Sequence, residues 1–196
     1  MWVAATLMGY AIHLQPYPGL AEKPCDDYDL GSSGNVVAYL AQKLRPMFGD
    51  RHVSMTFDNY FTSIQLVTYL RSLGYVATGT VRQMRIPSCP VNEKEMKKER
   101  GTIQSHHNDE HDVYLASWFD NRVVTVLSTH LADHPISQAK RYNRTRKEKV
   151  NVPRPASVTH YNNTMGGVDL LDSNVGQCRT SIRGKKVVLS DSPVSA

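Results

Sequence analysis

HVSMTFDNYFTSIQLVTYLRSLG, His52 to Gly74, decides how the rest of the chain is read. HVSMTF alternates polar and apolar side chains as a strand does, and IQLVTYLRSLG sets Ile64, Val67, Leu70 and Leu73 on one helical face. The residues between, FDNYFTS (57–63), therefore form a strand-to-helix turn, with Asp58 at the carboxyl end of the strand. In open α/β sheets that edge gathers ligands and catalytic groups. A plainer role is also open to these residues: Asp58 and Asn59 as turn formers and Thr62 as the helix N-cap.

Working outward, WVAAT and YAIHLQPY around Gly9 predict a β-hairpin, and GSSGNVVAYLAQKL predicts a helix with small capping residues before Val36, Val37, Leu40 and Leu44. GSSGN lacks the Lys-Ser/Thr of a phosphate-binding P-loop. YVATGTVR reads as the next strand, so strand and helix alternate from Trp2 to Arg82, an α/β arrangement with some antiparallel content. NEKEMKKERG reads as a solvated charged segment. DVYLASWFDNRVVTVLSTH then reads as two strands turning at Asp120 and Asn121, with Trp118 in a core. The basic stretch AKRYNRTRKEK, a break at PRPAS, and a final helical segment through GGVDLLD complete the pattern.

The 196 residues are 40% hydrophobic, enough for a substantial core, and carry a net charge of +5. Cys25, Cys89 and Cys178 are widely spaced, which points to reduced thiols and away from a disulfide framework or a zinc site. The opening MWVAATLMGYAIHL is too short and too interrupted to span a bilayer and has no basic leader, so no membrane partner is expected. A chain that starts inside a core strand reads as a piece of a longer protein.

Asp169 and Asp172 in GGVDLLD share one helical face, while Val168 and Leu171 share another suited to packing on a sheet. Beside Asp58, such acids would suit a hard divalent cation such as Mg²⁺ or Mn²⁺; alone, they are a solvated face. In HHNDEHD (106–112), His107 and His111 have metal-ligand spacing, but the β-like flanks favour a polar hairpin loop. Lys140, Arg141, Arg144, Arg146, Lys147 and Lys149, interleaved with Tyr142, form one basic group, and Arg179, Arg183, Lys185 and Lys186 form a second. Both are suited to phosphates, and such runs also serve as nuclear import signals.

DNYFTS, GTVR, and YNNTMGGVDLLD followed by RTSIRGKK resemble the transposase domain of the piggyBac family, and the resemblance runs from Trp2 to Lys186. It implies an RNase H-like mixed sheet flanked by helices, with a small β-rich insertion before the last helix. The corresponding division is 1–90 and 151–186 for the two parts of that domain, 91–150 for the insertion and basic linker, and 187–196 for a divergent tail. It also implies three aspartates holding two divalent ions, Mg²⁺ or Mn²⁺, for cleavage and joining of DNA in the nucleus. Asp58 matches the second aspartate and Asp169 the third; Asp172, on the same helical face as Asp169, is an additional candidate metal ligand from its spacing.

The first falls at or beside Ala5, which cannot ligate a metal, so the resemblance implies a degenerate, inactive transposase fragment that retains DNA affinity. A homodimer would form through regions outside this chain. Two rivals are an active nuclease that recruits Asp26, Asp27 or Asp29, and a protein-interaction module without DNA affinity.

Overall fold

The structure is a computed structural model that describes residues 1–16, 28–144 and 147–178. Two strands, β1 (Trp2–Ala5) and β2 (Ala11–Gln15), pair antiparallel as the expected hairpin. The helix α1 (Gly31–Phe48) follows; its first turn is GSSG itself, so these residues lie inside the helix and the cap position is Leu30. Asn35 accepts the Leu30 N–H at 2.9 Å and serves that end of the helix from within.

The strand β3 (Val53–Phe57), the helix α2 (Ile64–Ser72) and the strand β4 (Tyr75–Thr80) form the strand–helix–strand unit expected from the central stretch. β3 and β4 pair in parallel, which requires a crossover such as α2. After a single 3-10 turn at Gln83–Arg85 come the short helix α3 (Glu93–Met96) and the strands β5 (Ile103–Asn108), β6 (Val113–Phe119) and β7 (Val123–Ser128). β7 returns antiparallel to β4, giving one five-stranded mixed sheet in the order β3-β4-β7-β6-β5. The β-rich stretch between residues 103 and 128 thus extends the same sheet that carries Asp58.

Successive residues of the inner strands point to opposite faces, and both faces are covered. On one side, Leu127, Leu115, Val113 and Ala77 pack with Val37 and Ala41 of α1 and Leu66, Val67 and Leu70 of α2. There the Tyr75 hydroxyl donates to the Ala41 carbonyl at 2.8 Å, and burial raises its pKa. On the other side, Val126 and Trp118 meet Val158 of α4 (Ala156–Thr164) together with Ala139 and Val152. The last two belong to β8 (Ser137–Asn143) and β9 (Glu148–Arg154), an antiparallel hairpin formed by the stretch read from sequence as a basic linker. Trp118 is 3% exposed and donates its indole N–H to the Pro153 carbonyl at 2.7 Å, in keeping with a core role.

Two further expectations change. NEKEMKKERG is not wholly solvated: its single helical turn, capped by Asn92, drives Met96 to full burial. The closing helix α5 (Gly167–Gln177) has no buried residue and packs against the β1–β2 hairpin instead of laying Val168 and Leu171 on the large sheet. Val168 remains 41% exposed. Among the described residues no helix is long and apolar enough to cross a membrane.

Candidate functional site

Asp58 is half-buried one residue beyond β3. Its Oδ1 accepts the Tyr60 N–H at 2.9 Å, a side-chain turn of the kind Asp readily makes. Its backbone carbonyl accepts from the N–H groups of Phe61 and Thr62 and from the Thr62 hydroxyl at 2.7 Å. Arg85 binds the loop from outside, donating to the Asn59 and Tyr60 carbonyls at 2.9 and 2.8 Å. The loop is fixed at both ends, so Asp58 is presented from a rigid turn.

The helix cap of this turn is Ser63, whose hydroxyl accepts the Leu66 N–H at 3.1 Å. Thr62, the expected cap, is fully buried instead. The reason lies across the sheet at Gly79 on β4, where a β-carbon would stand 2.3 Å from the Thr62 hydroxyl and 2.8 Å from the Phe57 ring. Glycine there makes the hollow into which Thr62 turns, leaving the cap to its neighbour. A glycine inside a strand is the sequence signal for such a close approach.

α4 crosses this region alongside β3 and in the same direction. His160 Nε2 lies 3.2 Å from the Ser54 hydroxyl, and four residues later the Thr164 hydroxyl lies 2.8 Å from that of Thr56. Tyr161 reaches Thr80 on β4 at 3.4 Å. The chain therefore leaves α4 heading toward the strand end that carries Asp58. Gly166, at φ 112°, makes the left-handed turn into α5, whose first turn contains Asp169. Gly167 packs so closely on the turn just after β1 that a β-carbon would fall 2.3 Å from the Thr6 carbonyl oxygen. Asp169 and Asp172 are exposed.

His160 also stacks edge to face on His130, with ring centroids 4.9 Å apart, and His130 Nδ1 lies 3.2 Å from the Ser128 hydroxyl. Burial lowers the pKa of both imidazoles, and for His130 the neighbouring His160 adds to the effect. Sequence reading passed over this pair because its members lie thirty positions apart on a strand end and a helix.

Among the described residues the donor set does not fit a two-metal, three-carboxylate centre. Ala5 brings no ligand atom, its strand β1 pairs with β2 in a separate two-stranded sheet, and Asp29 sits just ahead of α1. Among the described residues no group of three or more His, Cys, Asp or Glu could hold a metal. Asp26 and Asp27 lie outside the described residues. His111 falls in the β5–β6 turn, as the polar-loop reading expects, whereas His107 lies within β5 opposite Tyr114, and both its nitrogens are taken by Asp109 at 2.8 Å and Asp112 at 2.9 Å. Asp112, then Asp109, raise the His107 pKa, and Arg71, then His107, lower that of Asp112.

Of the basic groups, Lys140, Arg144, Lys147 and Lys149 are exposed on the β8–β9 hairpin. Arg141 faces inward: its Nε donates to Asp120 at 2.7 Å and its guanidinium lies over Trp118. Arg146, Arg179, Arg183, Lys185 and Lys186 lie outside the described residues. Cys89 and Cys178 are free thiols, and Cys25 is outside the described residues.

The family model described as Transposase IS4 matches residues 1–190. Human PiggyBac transposable element-derived protein 3 is 38% identical over 189 residues, covering 94% of this chain and 31% of that protein. Human PiggyBac transposable element-derived protein 2 is 32% identical over 189 residues, covering 95% and 31%. The chain thus spans about a third of the length of these curated relatives. A piggyBac transposase, solved as a synaptic complex with hairpin DNA, shares the fold at a TM-score of 0.56 and 24% identity, covering 86% of this chain and 32% of that one. The match of the family model along nearly the whole sequence, together with the piggyBac-derived relatives, shows that the chain belongs to the piggyBac-type transposase family.

Proposed function

We propose that this chain is a transposase-derived DNA-binding module of RNase H-like descent, acting in the nucleus, which does not cut DNA by itself. The observation that supports the reading is the course of α4: its contacts with Ser54 and Thr56 run with β3 toward the end that carries Asp58, and the chain then continues into the helix that carries Asp169. Two carboxylates then stand where two-metal phosphoryl chemistry uses more, since such a site must hold both ions and clamp the attacking and leaving oxygens. Mg²⁺ or Mn²⁺ held through fewer acids keeps more of its water and binds weakly. Binding to DNA instead rests on the exposed lysines of the β8–β9 hairpin.

The test joins two measurements on the whole chain. Duplex DNA should bind at low salt, with log affinity falling against log salt by about 0.9 for each phosphate neutralised. The same DNA, with Mg²⁺ or Mn²⁺ in excess, should remain unnicked and unjoined. Metal-dependent nicking that disappears in Asp58→Asn would establish the active-nuclease rival, and no binding at low salt would overturn the DNA-binding module and favour the protein-interaction rival.

A further inference from the structure

The register of the β8–β9 hairpin sorts its basic residues onto two faces. Ala139 and Val152 enter the core with Trp118, Val126 and Val158, and Arg141, paired with Val150, follows them inward to Asp120. The opposite face carries Lys140 and Tyr142 from β8, and Lys149 and Asn151 from β9. Tyr142 stands directly across from Lys149, and Lys140 across from Asn151, so the ring has one ammonium beside it along its strand and another across the ladder. Tyr142 is 56% exposed, and these four positions include no carboxylate. Its backbone is held in place, because Arg100 donates to the Tyr142 carbonyl at 3.4 Å.

We propose that this outward face is a platform for single-stranded DNA, with one unpaired base stacked on Tyr142 and the flanking phosphates on Lys140 and Lys149. The proposal rests on the reading of the chain as a DNA-binding module and narrows it to one site and one form of DNA. A positively charged strip interleaved with an exposed aromatic is the chemistry that holds single strands, since every base offers a π-face and every link a phosphate. A duplex hides its base faces in the stack and can use only the lysines. The buried inner face makes the platform rigid, so the ring is already positioned before a base arrives.

The test compares a labelled oligothymidylate of about 12 nucleotides with a duplex of equal length, each titrated with the whole chain and followed by fluorescence anisotropy. Tyr142→Ala should weaken single-strand binding on the order of tenfold and leave duplex binding within about twofold. Tyr142→Phe should bind as the parent does, and Tyr142→Leu, which keeps apolar bulk without a π-face, should behave as the alanine variant. Replacing Lys140 and Lys149 together by Gln should weaken both forms and flatten the single-strand salt slope by about 1.4, or about 0.7 for each lost phosphate contact. All four positions are exposed, so melting temperatures should not change.

Single-strand binding that is indifferent to Tyr142→Ala, or that falls in step with duplex binding, overturns the platform. So does preference for an oligouridylate over the DNA strand. Duplex binding without single-strand binding overturns the platform and leaves the DNA-binding module standing, whereas absence of both overturns the two together.

Discussion

Asp120→Ala should be among the most destabilising single changes outside the apolar core. The Asp120 side chain is 14% exposed and sits between two guanidiniums. Arg100 Nε donates to Oδ1 at 2.6 Å and Arg141 Nε donates to Oδ2 at 2.7 Å, while Arg100 also reaches Asn121 at 3.2 Å. These bonds tie the β6–β7 turn to the β8–β9 hairpin and to the segment after α3. Without the carboxylate, two like charges remain side by side next to the second core.

Hydrogen bonds to charged groups contribute about 1.5–3 kcal/mol each, and removing one partner of a buried pair costs about 3–5 kcal/mol. The arginines are 28% and 33% exposed, so water relieves part of the cost. An expected loss of about 2–4 kcal/mol follows. For a chain of this size that corresponds to a drop in melting temperature of roughly 4–16 °C. Urea denaturation followed by tryptophan fluorescence reads it well, because Trp118 lies under the Arg141 guanidinium. Asp109→Ala, whose partner is His107 and whose side chain is 97% exposed, is the control and should stay within about 0.5 kcal/mol of the parent. An Asp120→Ala loss below about 1 kcal/mol would refute the clamp and return Arg141 to the phosphate-binding set.

Gly79→Ala should cost about 3 kcal/mol, the upper end for overpacking, because Thr62 cannot yield without losing its bond to Asp58; adding Thr62→Ala should restore part of it, and strictly additive losses in urea denaturation would count against the hollow. Ser63→Ala should cost about 1 kcal/mol, and no loss would show that the cap lies elsewhere. The His130 and His160 pKa values are lowered in the fold, so the unfolded chain binds more protons there. Their contribution is complete above the ordinary histidine pKa of about 6.5 and is lost as pH falls through the lowered folded values. Stability measured from pH 7.5 downward should fall below about pH 6.5, and His160→Gln should flatten that fall. His107 has the opposite sign, since its raised pKa favours the fold below the ordinary value and loses effect as pH rises.

Local periodicity made β3, α2, β4 and the β6–β7 hairpin legible, because each buries a face whose spacing is visible along the chain. The sheet order was not legible: nothing in YVATGT tells that β7 pairs antiparallel on one side of β4 and β3 parallel on the other. Two adjacent hydroxyls, Thr62 and Ser63, are equally good caps by sequence, and the choice is made by a glycine seventeen positions away. The β8–β9 hairpin was hidden by its charge. Alternation places Arg141 on the inner face, where an apolar residue is expected, and only the distant Asp120 makes that tolerable. Of the candidate site, Asp58 was readable from its place at a strand end, while its relation to Asp169 depends on the course of α4, which is fixed by His160, Tyr161 and Thr164 meeting residues about 80 to 110 positions earlier.

The same contacts limit how the carboxylates can be probed. α4 is held across β3 and β4 by hydroxyls and one imidazole, and its buried residues are confined to the end that begins with Ala156, Ser157 and Val158. Protonation of His160 places a charge beside His130 in a partly desolvated space and weakens the grip at the middle of the helix. The chain passes from α4 through Met165 and Gly166 into α5, whose first turn carries Asp169, so in the proposed site a loosened α4 would displace that carboxylate. A nicking or cation-binding measurement made below the lowered folded pKa of His160 would therefore confound a displaced Asp169 with a missing acid. Above pH 7, where both imidazoles are neutral, a failure to bind Mn²⁺ or to nick DNA is free of that displacement.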